Sequence, residues 1–144
     1  VIGIGSSQFS NVPRNPLSVD ERYEMLVRGL RSEGVPLSRI CLLSIPDAEE
    51  GEDWGEIVLE RIPPVQAAYS NDPETRKCLS SVGIEVRPIP FYKREIYQAR
   101  RIRRMVVEGD ESWRELVPRE VARFLDEIDF KKRLMRIMEE YGEV

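Results

Sequence analysis

The chain alternates between short apolar runs and longer stretches with helical spacing. A nearly continuous apolar segment stands at Val1–Ser6, and shorter runs rich in apolar residues at Arg39–Ile45, Val65–Tyr69 and Ile84–Ile89 read as further strands. Runs of this length, bounded by turn residues, suit buried strands of a parallel sheet. After the first run, Ser18 and Glu21 form a capping-box pattern, and Tyr23, Leu26, Val27 and Leu30 recur at the spacing of one helix face. Gly34 and Pro36 end that helix. A short helix is expected from Trp54 to Arg61, stopped by Pro63-Pro64. Ser70-Asn71-Asp72-Pro73 caps another, with Pro73 at its first position, and this helix ends near Gly83. Lys93–Arg104 reads as helical from about Gln98 and breaks at Gly109. Trp113–Val117 is a turn or short helix, and Pro118–Ile128 and Phe130–Tyr141 are amphipathic helices. Strands alternating with helices predict an α/β domain over 1–144: an open parallel sheet with right-handed crossovers, helices on both faces and a helical end from about residue 118.

Composition narrows the class. Hydrophobic residues make up 41% and charged residues 33%, as in a globular domain with a charged surface. No apolar run approaches a membrane span. The opening strand has no basic leader, so no secretory signal is expected and the cytoplasm is the expected compartment. The net charge of −4 argues against broad nucleic-acid binding but leaves room for a local phosphate-binding patch. Cys41, in an expected buried strand, and Cys78, in a helix, read as reduced core thiols. The chain has no histidine, so no Cys/His metal site is expected and any imidazole chemistry must be borrowed.

Three stretches could carry chemistry. The first is the strand end Gly5-Ser6-Ser7-Gln8 with its loop and Arg14. Ligands bind beyond the carboxyl ends of strands in open α/β sheets, small residues expose backbone N–H groups, and Arg14 can meet a phosphate. An ordinary strand–loop–helix connection accounts for the same residues equally well. The second is Lys93–Arg104, with six bases against one acid, a net +5. A helix N-terminus with arginines can hold a polyphosphate, and a solvated basic face is the competing account. On that helix Arg100 and Arg104 share a face and Arg103 lies off it. The third joins Pro46-Asp47 and Trp54, which can bind ribose hydroxyls and stack on a planar ring, with Tyr69-Ser70-Asn71-Asp72, which can meet a base edge. Core packing of Trp54 and a plain N-cap at 70–72 explain these residues without a ligand.

The chain resembles the archaeal-type nicotinamide mononucleotide (NMN) adenylyltransferases of the HxGH-bearing nucleotidyltransferase superfamily. The matching stretches are IGIGSSQ at Ile2–Gln8, RNPLSVDERYEML at Arg14–Leu26, Pro46-Asp47 with Trp54, YSND at Tyr69–Asp72 and IRR at Ile102–Arg104. They follow the family's order over essentially the whole chain. The resemblance implies a Rossmann-like fold, the substrates ATP and NMN, the product NAD, a magnesium ion carried with ATP, and a homo-oligomer. It implies Ser6, Ser7 and Gln8 on the mononucleotide side of a cleft, Arg14 on phosphate, and Asp47 and Trp54 on the ribose and nicotinamide. It also implies Ser70 and Asn71 near the adenine and Arg103 on the ATP phosphates. Arg14 and Arg103 would then be the catalytic pair.

Three departures stand out. The family's opening strand, phosphate loop and helix, with GRFQPxHxGH, do not occur in this sequence. A strand–loop–helix unit of roughly 30 residues is therefore expected before Val1. That strand is central, so without it the edges of its two neighbours would lie open and the chain would be unstable alone. The Ser-x-Thr before the Ile-Arg pair is here Gln98 and Arg100, and the Asn between Pro46-Asp47 and Trp54 is here Gly51. These leave open a non-catalytic nucleotide-binding relative, or an adenylyltransferase for another phosphorylated acceptor such as a flavin or pantetheine nucleotide.

Overall fold

Apolar runs and caps place the elements of a computed structural model that describes all 144 residues. In chain order they are β1 (Ile2–Ile4), α1 (Val19–Ser32), β2 (Leu42–Ser44), α2 (Trp54–Arg61), β3 (Ala68–Tyr69), α3 (Pro73–Ser81), β4 (Val86–Arg87), α4 (Ala99–Glu108), α5 (Arg119–Glu127) and α6 (Phe130–Tyr141). Single 3₁₀ turns cover Leu37–Arg39 and Glu111–Leu116. The capping box at Ser18 and Glu21 forms, Asp72 caps α3 with Pro73 at its first turn, and Gly109 ends α4 at φ 78°.

The fold is α/β, and its strands pair in parallel as expected. They do not make one sheet. β1 pairs with β2, and β3 pairs with β4, as two separate two-stranded sheets. Each strand is therefore bonded along one edge only, and the ladders cover two or three residues rather than the six or so the apolar runs predict. Beyond the ladders the pairing thins out: the Cys41 carbonyl still accepts from the Ile2 N–H, Ile89 is met by the Asn71 side chain rather than by a strand, and 37–39 wind into a 3₁₀ turn. The expected burial of the first strand is likewise reduced: Ile4 is buried, but Gly3 and Gly5 are exposed. β1 and β3 face one another across an apolar groove of about 420 Å³ lined by Gly3 and Gly5 on one side and Ala68 and Ser70 on the other.

The larger core is helical. Twelve buried side chains form one cluster around Leu134, Phe124, Trp113 and Val106, and Leu17 from the loop before α1 joins it. A second, smaller cluster of Ile45, Val58 and Leu79 ties β2 to α2 and α3. Two expected core residues lie elsewhere. Tyr23 is exposed because α1 packs on α5 through Met25 and Gly29, on roughly the opposite face of the helix from Tyr23. Cys41 is exposed because it falls before β2, and Cys78 is half-buried on the wall of a hollow; both thiols are free.

The cap of α1 is also tied to α6. Glu21 accepts from the Ser18 backbone N–H at 2.9 Å and from Arg133, which also reaches the Pro16 carbonyl. The Arg133 hydrogen bond, opposed by partial burial and helped by Ser18, holds the Glu21 carboxyl below its ordinary range. A depressed carboxyl stabilises the fold above its unfolded pKa and loses that contribution as pH falls through the folded value. Glu21→Gln keeps a capping side chain but removes the charge. At neutral pH it is expected to cost about 1–2 kcal/mol, and the difference from wild type should shrink as pH falls through the depressed folded value. Urea unfolding at neutral and at low pH checks this; an undiminished gap at low pH would refute it.

Candidate functional site

The carboxyl end of β1 and the turn after β2 meet at the mouth of a hollow of about 680 Å³. Gly5, Ser6, Asp47 and Trp54 line it, with α3 supplying Glu74, Thr75 and Cys78 on the opposite wall. Ser6 sits in the left-handed region at φ 48°, a conformation uncommon for a residue with a Cβ. Its hydroxyl lies 2.9 Å from each carboxylate oxygen of Asp47. Gln8 accepts from the Asp47 backbone N–H at 3.1 Å. The Trp54 indole donates to the Pro46 carbonyl at 3.0 Å. That bond fixes the ring at the start of α2, where Asp53 caps the Gly55 and Glu56 amides. These contacts weld two loops that are about forty residues apart in sequence into one polar wall.

The sequence-derived candidates divide into three groups. Ser6, Asp47 and Trp54 line the hollow and Gln8 is bonded to Asp47 beside it, and Trp54 also packs against the Ile45–Val58–Leu79 cluster, so its packing on the core does not take it away from the hollow. Ser7 is adjacent, but its N–H donates to the Ile45 carbonyl and is not open to a ligand. Ser70 lines the neighbouring groove, which shares Gly5, Trp54 and Thr75 with the hollow. Asn71 is engaged at both ends of its amide by Ile89, donating to the carbonyl at 2.5 Å and accepting from the N–H at 2.9 Å. It pins the residues after β4 to the end of β3.

Arg14 and Arg103 line neither hollow. Arg14 is exposed on the loop between β1 and α1. Arg103 is partly buried on α4, and its Nε has no partner in the chain. Burial first, and the nearby Arg100 second, push its guanidinium pKa down. A cation left short of partners in this way is one an incoming anion would stabilise. Gly51, standing where the resemblance has Asn, lies at φ 89°. Glycine takes that region freely and Asn tolerates it better than most residues, so the backbone gives a reason for the exchange. Sequence reading passed over Arg22, whose guanidinium reaches the Gly5 carbonyl at 2.6 Å and the Ser6 carbonyl at 3.1 Å. A basic residue in a first helical turn, where acids are favoured, was the available signal.

No family model matches the chain. Curated relatives match nearly all of it. A nicotinamide-nucleotide adenylyltransferase of Caldivirga maquilingensis is 41% identical over 138 residues, 96% of this chain and 78% of that protein. One of Pyrobaculum neutrophilum is 39% identical over 134 residues, 93% of this chain and 75% of that protein. One of Methanothrix thermoacetophila is 36% identical over 137 residues, 95% and 78% respectively.

Proposed function

The chain belongs to the nicotinamide-nucleotide adenylyltransferase family, and from that premise we propose that it joins ATP to NMN, giving NAD and pyrophosphate. The observation that carries this reading is the hollow walled by Ser6, Asp47 and Trp54, three residues of the matched stretches brought together from separate elements. In the reaction an oxygen of the NMN phosphate attacks the α-phosphorus of ATP. A new P–O bond forms, and the bond to the β-phosphate oxygen breaks as pyrophosphate leaves. Such a transfer needs alignment and charge neutralisation more than a protein base. The Asp47 carboxylate, fixed by Ser6, retains lone pairs for ribose hydroxyls. Trp54 offers its face to the nicotinamide. Ser7 and Gln8 support the mononucleotide side, with Gln8 acting through Asp47. Ser70 and Asn71 shape the adenine side, Asn71 by holding the loop rather than by a free amide. Arg14 and Arg103 bind phosphates as the substrates fill the space between loop and helix.

Membership of a nucleotidyltransferase family implies a divalent metal, and we take it to be magnesium. No three Asp, Glu, Cys or His side chains of the chain stand together as a cage for it. Magnesium binds such proteins mainly through substrate phosphates, where it neutralises charge. No helix is long and apolar enough to cross a membrane. A cytoplasmic homo-oligomer belongs to the same reading.

The test is pyrophosphate release from ATP by the full-length protein with NMN, a flavin mononucleotide and a pantetheine phosphate offered in turn. NAD formation with NMN is expected to dominate. Binding of ATP without pyrophosphate release would favour a non-catalytic relative, and a preference for another acceptor would refute the assignment of NMN. In the same assay Arg14→Ala is expected to weaken NMN binding by about 2 kcal/mol, roughly 30-fold. An unchanged affinity would remove Arg14 from the site.

A further inference from the structure

We propose that Arg22, which lines no part of the hollow, is the positioning residue that sets the Gly5–Phe9 loop against Asp47. The inference rests on the proposed reading of the hollow as the mononucleotide site. Arg22 lies in the first turn of α1, and three of its five partners are backbone carbonyls of that loop. Its guanidinium donates to Gly5 at 2.6 Å and to Ser6 at 3.1 Å, with longer bonds of 3.4 Å to Phe9, to the Asn15 side chain and to Ser18. It forms no salt bridge. Burial pulls its pKa down, and the charge of Asp47 only partly offsets this.

A partly buried cation bonded to neutral carbonyls gives up hydration without gaining a counter-charge, so its bonds serve geometry more than charge pairing. The other arginines of α1 and α5 that make hydrogen bonds do so with carboxylates: Arg28 with Glu24 and Glu127, and Arg123 with Glu120. Arg22 alone among them is used to hold a loop.

Peptide planarity shows what it imposes. In a trans peptide the carbonyl and the following N–H point in opposite directions. With the Gly5 carbonyl drawn to Arg22, the Ser6 N–H points away from it, and that N–H has no hydrogen bond within the chain. The next peptide is held at both ends, its Ser6 carbonyl by Arg22 and the Phe9 N–H, its Ser7 N–H by the Ile45 carbonyl. Ser6 is thereby kept at φ 48°, a region that persists only when the surroundings over-determine it. Its hydroxyl is delivered to Asp47, and its amide is left for an oxygen of the ligand. Arg22 acts on the substrate through Ser6 and Asp47.

The experiment compares Arg22→Ala, Arg22→Lys and the control Arg28→Ala in the full-length protein. Arg28 is on the same helix and makes two ion pairs, but touches none of the loop. Readouts are kcat and KM for NMN and for ATP, thermal unfolding, and rescue by added guanidinium well below denaturing concentration. Arg22→Ala is expected to lower kcat/KM for NMN about a hundredfold, the loss that a misplacement of about 1 Å brings. Guanidinium should restore a part of it, and should not help Arg28→Ala. Arg22→Lys should unfold close to wild type yet remain impaired, because the guanidinium meets the two carbonyls with two separate nitrogens in a fixed fork, whereas lysine must serve both from one nitrogen on a flexible stem. Kinetics of both Arg22 variants indistinguishable from Arg28→Ala, or losses that follow unfolding temperature with no rescue, would overturn the proposal. A wild-type protein that makes no NAD would sink the functional reading and this inference together; an active wild type with unaffected Arg22 variants would sink this inference alone.

Discussion

Gly55→Ala is expected to destabilise the protein by about 2 kcal/mol or more and to deform the hollow at the same time. Gly55 is the second residue of α2, packed where α2 crosses α3. A Cβ there would stand 2.6 Å from the Cys78 carbonyl oxygen, 2.8 Å from Val82 Cγ1 and 3.0 Å from Asp53 Oδ1. The first of these is helix backbone, and the third is the cap of α2 itself, so neither can swing aside. The two helices must part. Alanine's better helix propensity returns about 1 kcal/mol at most. Because Trp54 and Cys78 sit on opposite walls of the hollow, the parting widens it. Urea unfolding and KM for NMN measured together should both worsen. Gly29→Ala is the comparison: its Cβ would meet Val121 Cγ2 at 3.1 Å, a side chain that can give, and Pro118 Cγ at an ordinary 4.0 Å, and the loss should be much smaller. Equal stability of Gly55→Ala and wild type would show that α2 and α3 are not held at this distance.

The largest loss of stability is expected from Leu134→Ala, about 3–5 kcal/mol. Leu134 is wholly shielded from solvent and sits in the main helical cluster with Phe124, Phe130 and Ile137. Truncation removes its transfer free energy and leaves a cavity that the surrounding helices, held on several sides, cannot close. Leu134→Met conserves volume and should cost less than about 1.5 kcal/mol. Since α6 does not line the hollow, KM for NMN should stay at the wild-type value while the variant is folded. A Leu134→Ala loss no larger than that of Leu134→Met would show the cluster to be loosely packed.

The helices were legible because their signals are local. Ser18 with Glu21, Asp72 with Pro73, and Gly109 act within one turn of themselves, and each cap appears where the sequence places it. The strands were legible as positions but not as lengths. A strand exists only as far as a partner runs beside it, and no residue of Val1–Ser6 states what lies along its second edge. The burial of Cys41 and Tyr23 failed for a related reason: apolar spacing tells which residues share a face, but packing selects which face is covered. The site shows the same division. Ser6, Asp47 and Trp54 could be singled out as strand-end residues with useful chemistry. The Trp54–Pro46 bond spans eight residues, but the union of Ser6 with Asp47 across forty residues depends on β1 lying beside β2.

What the sequence alone determined, then, is the α/β alternation, the helix boundaries and the inventory of groups able to hold a phosphorylated nucleotide, all of them consequences of neighbours within a few positions. What only the tertiary structure decided is that the strands divide into two parallel pairs, that Asn71 and Ser7 have their amides engaged within the chain, and that Arg22 grips the loop before it. Those outcomes turn on distances between segments remote in sequence, and the energy of such contacts is set by which edges, carbonyls and charges the fold brings within about 3 Å of one another.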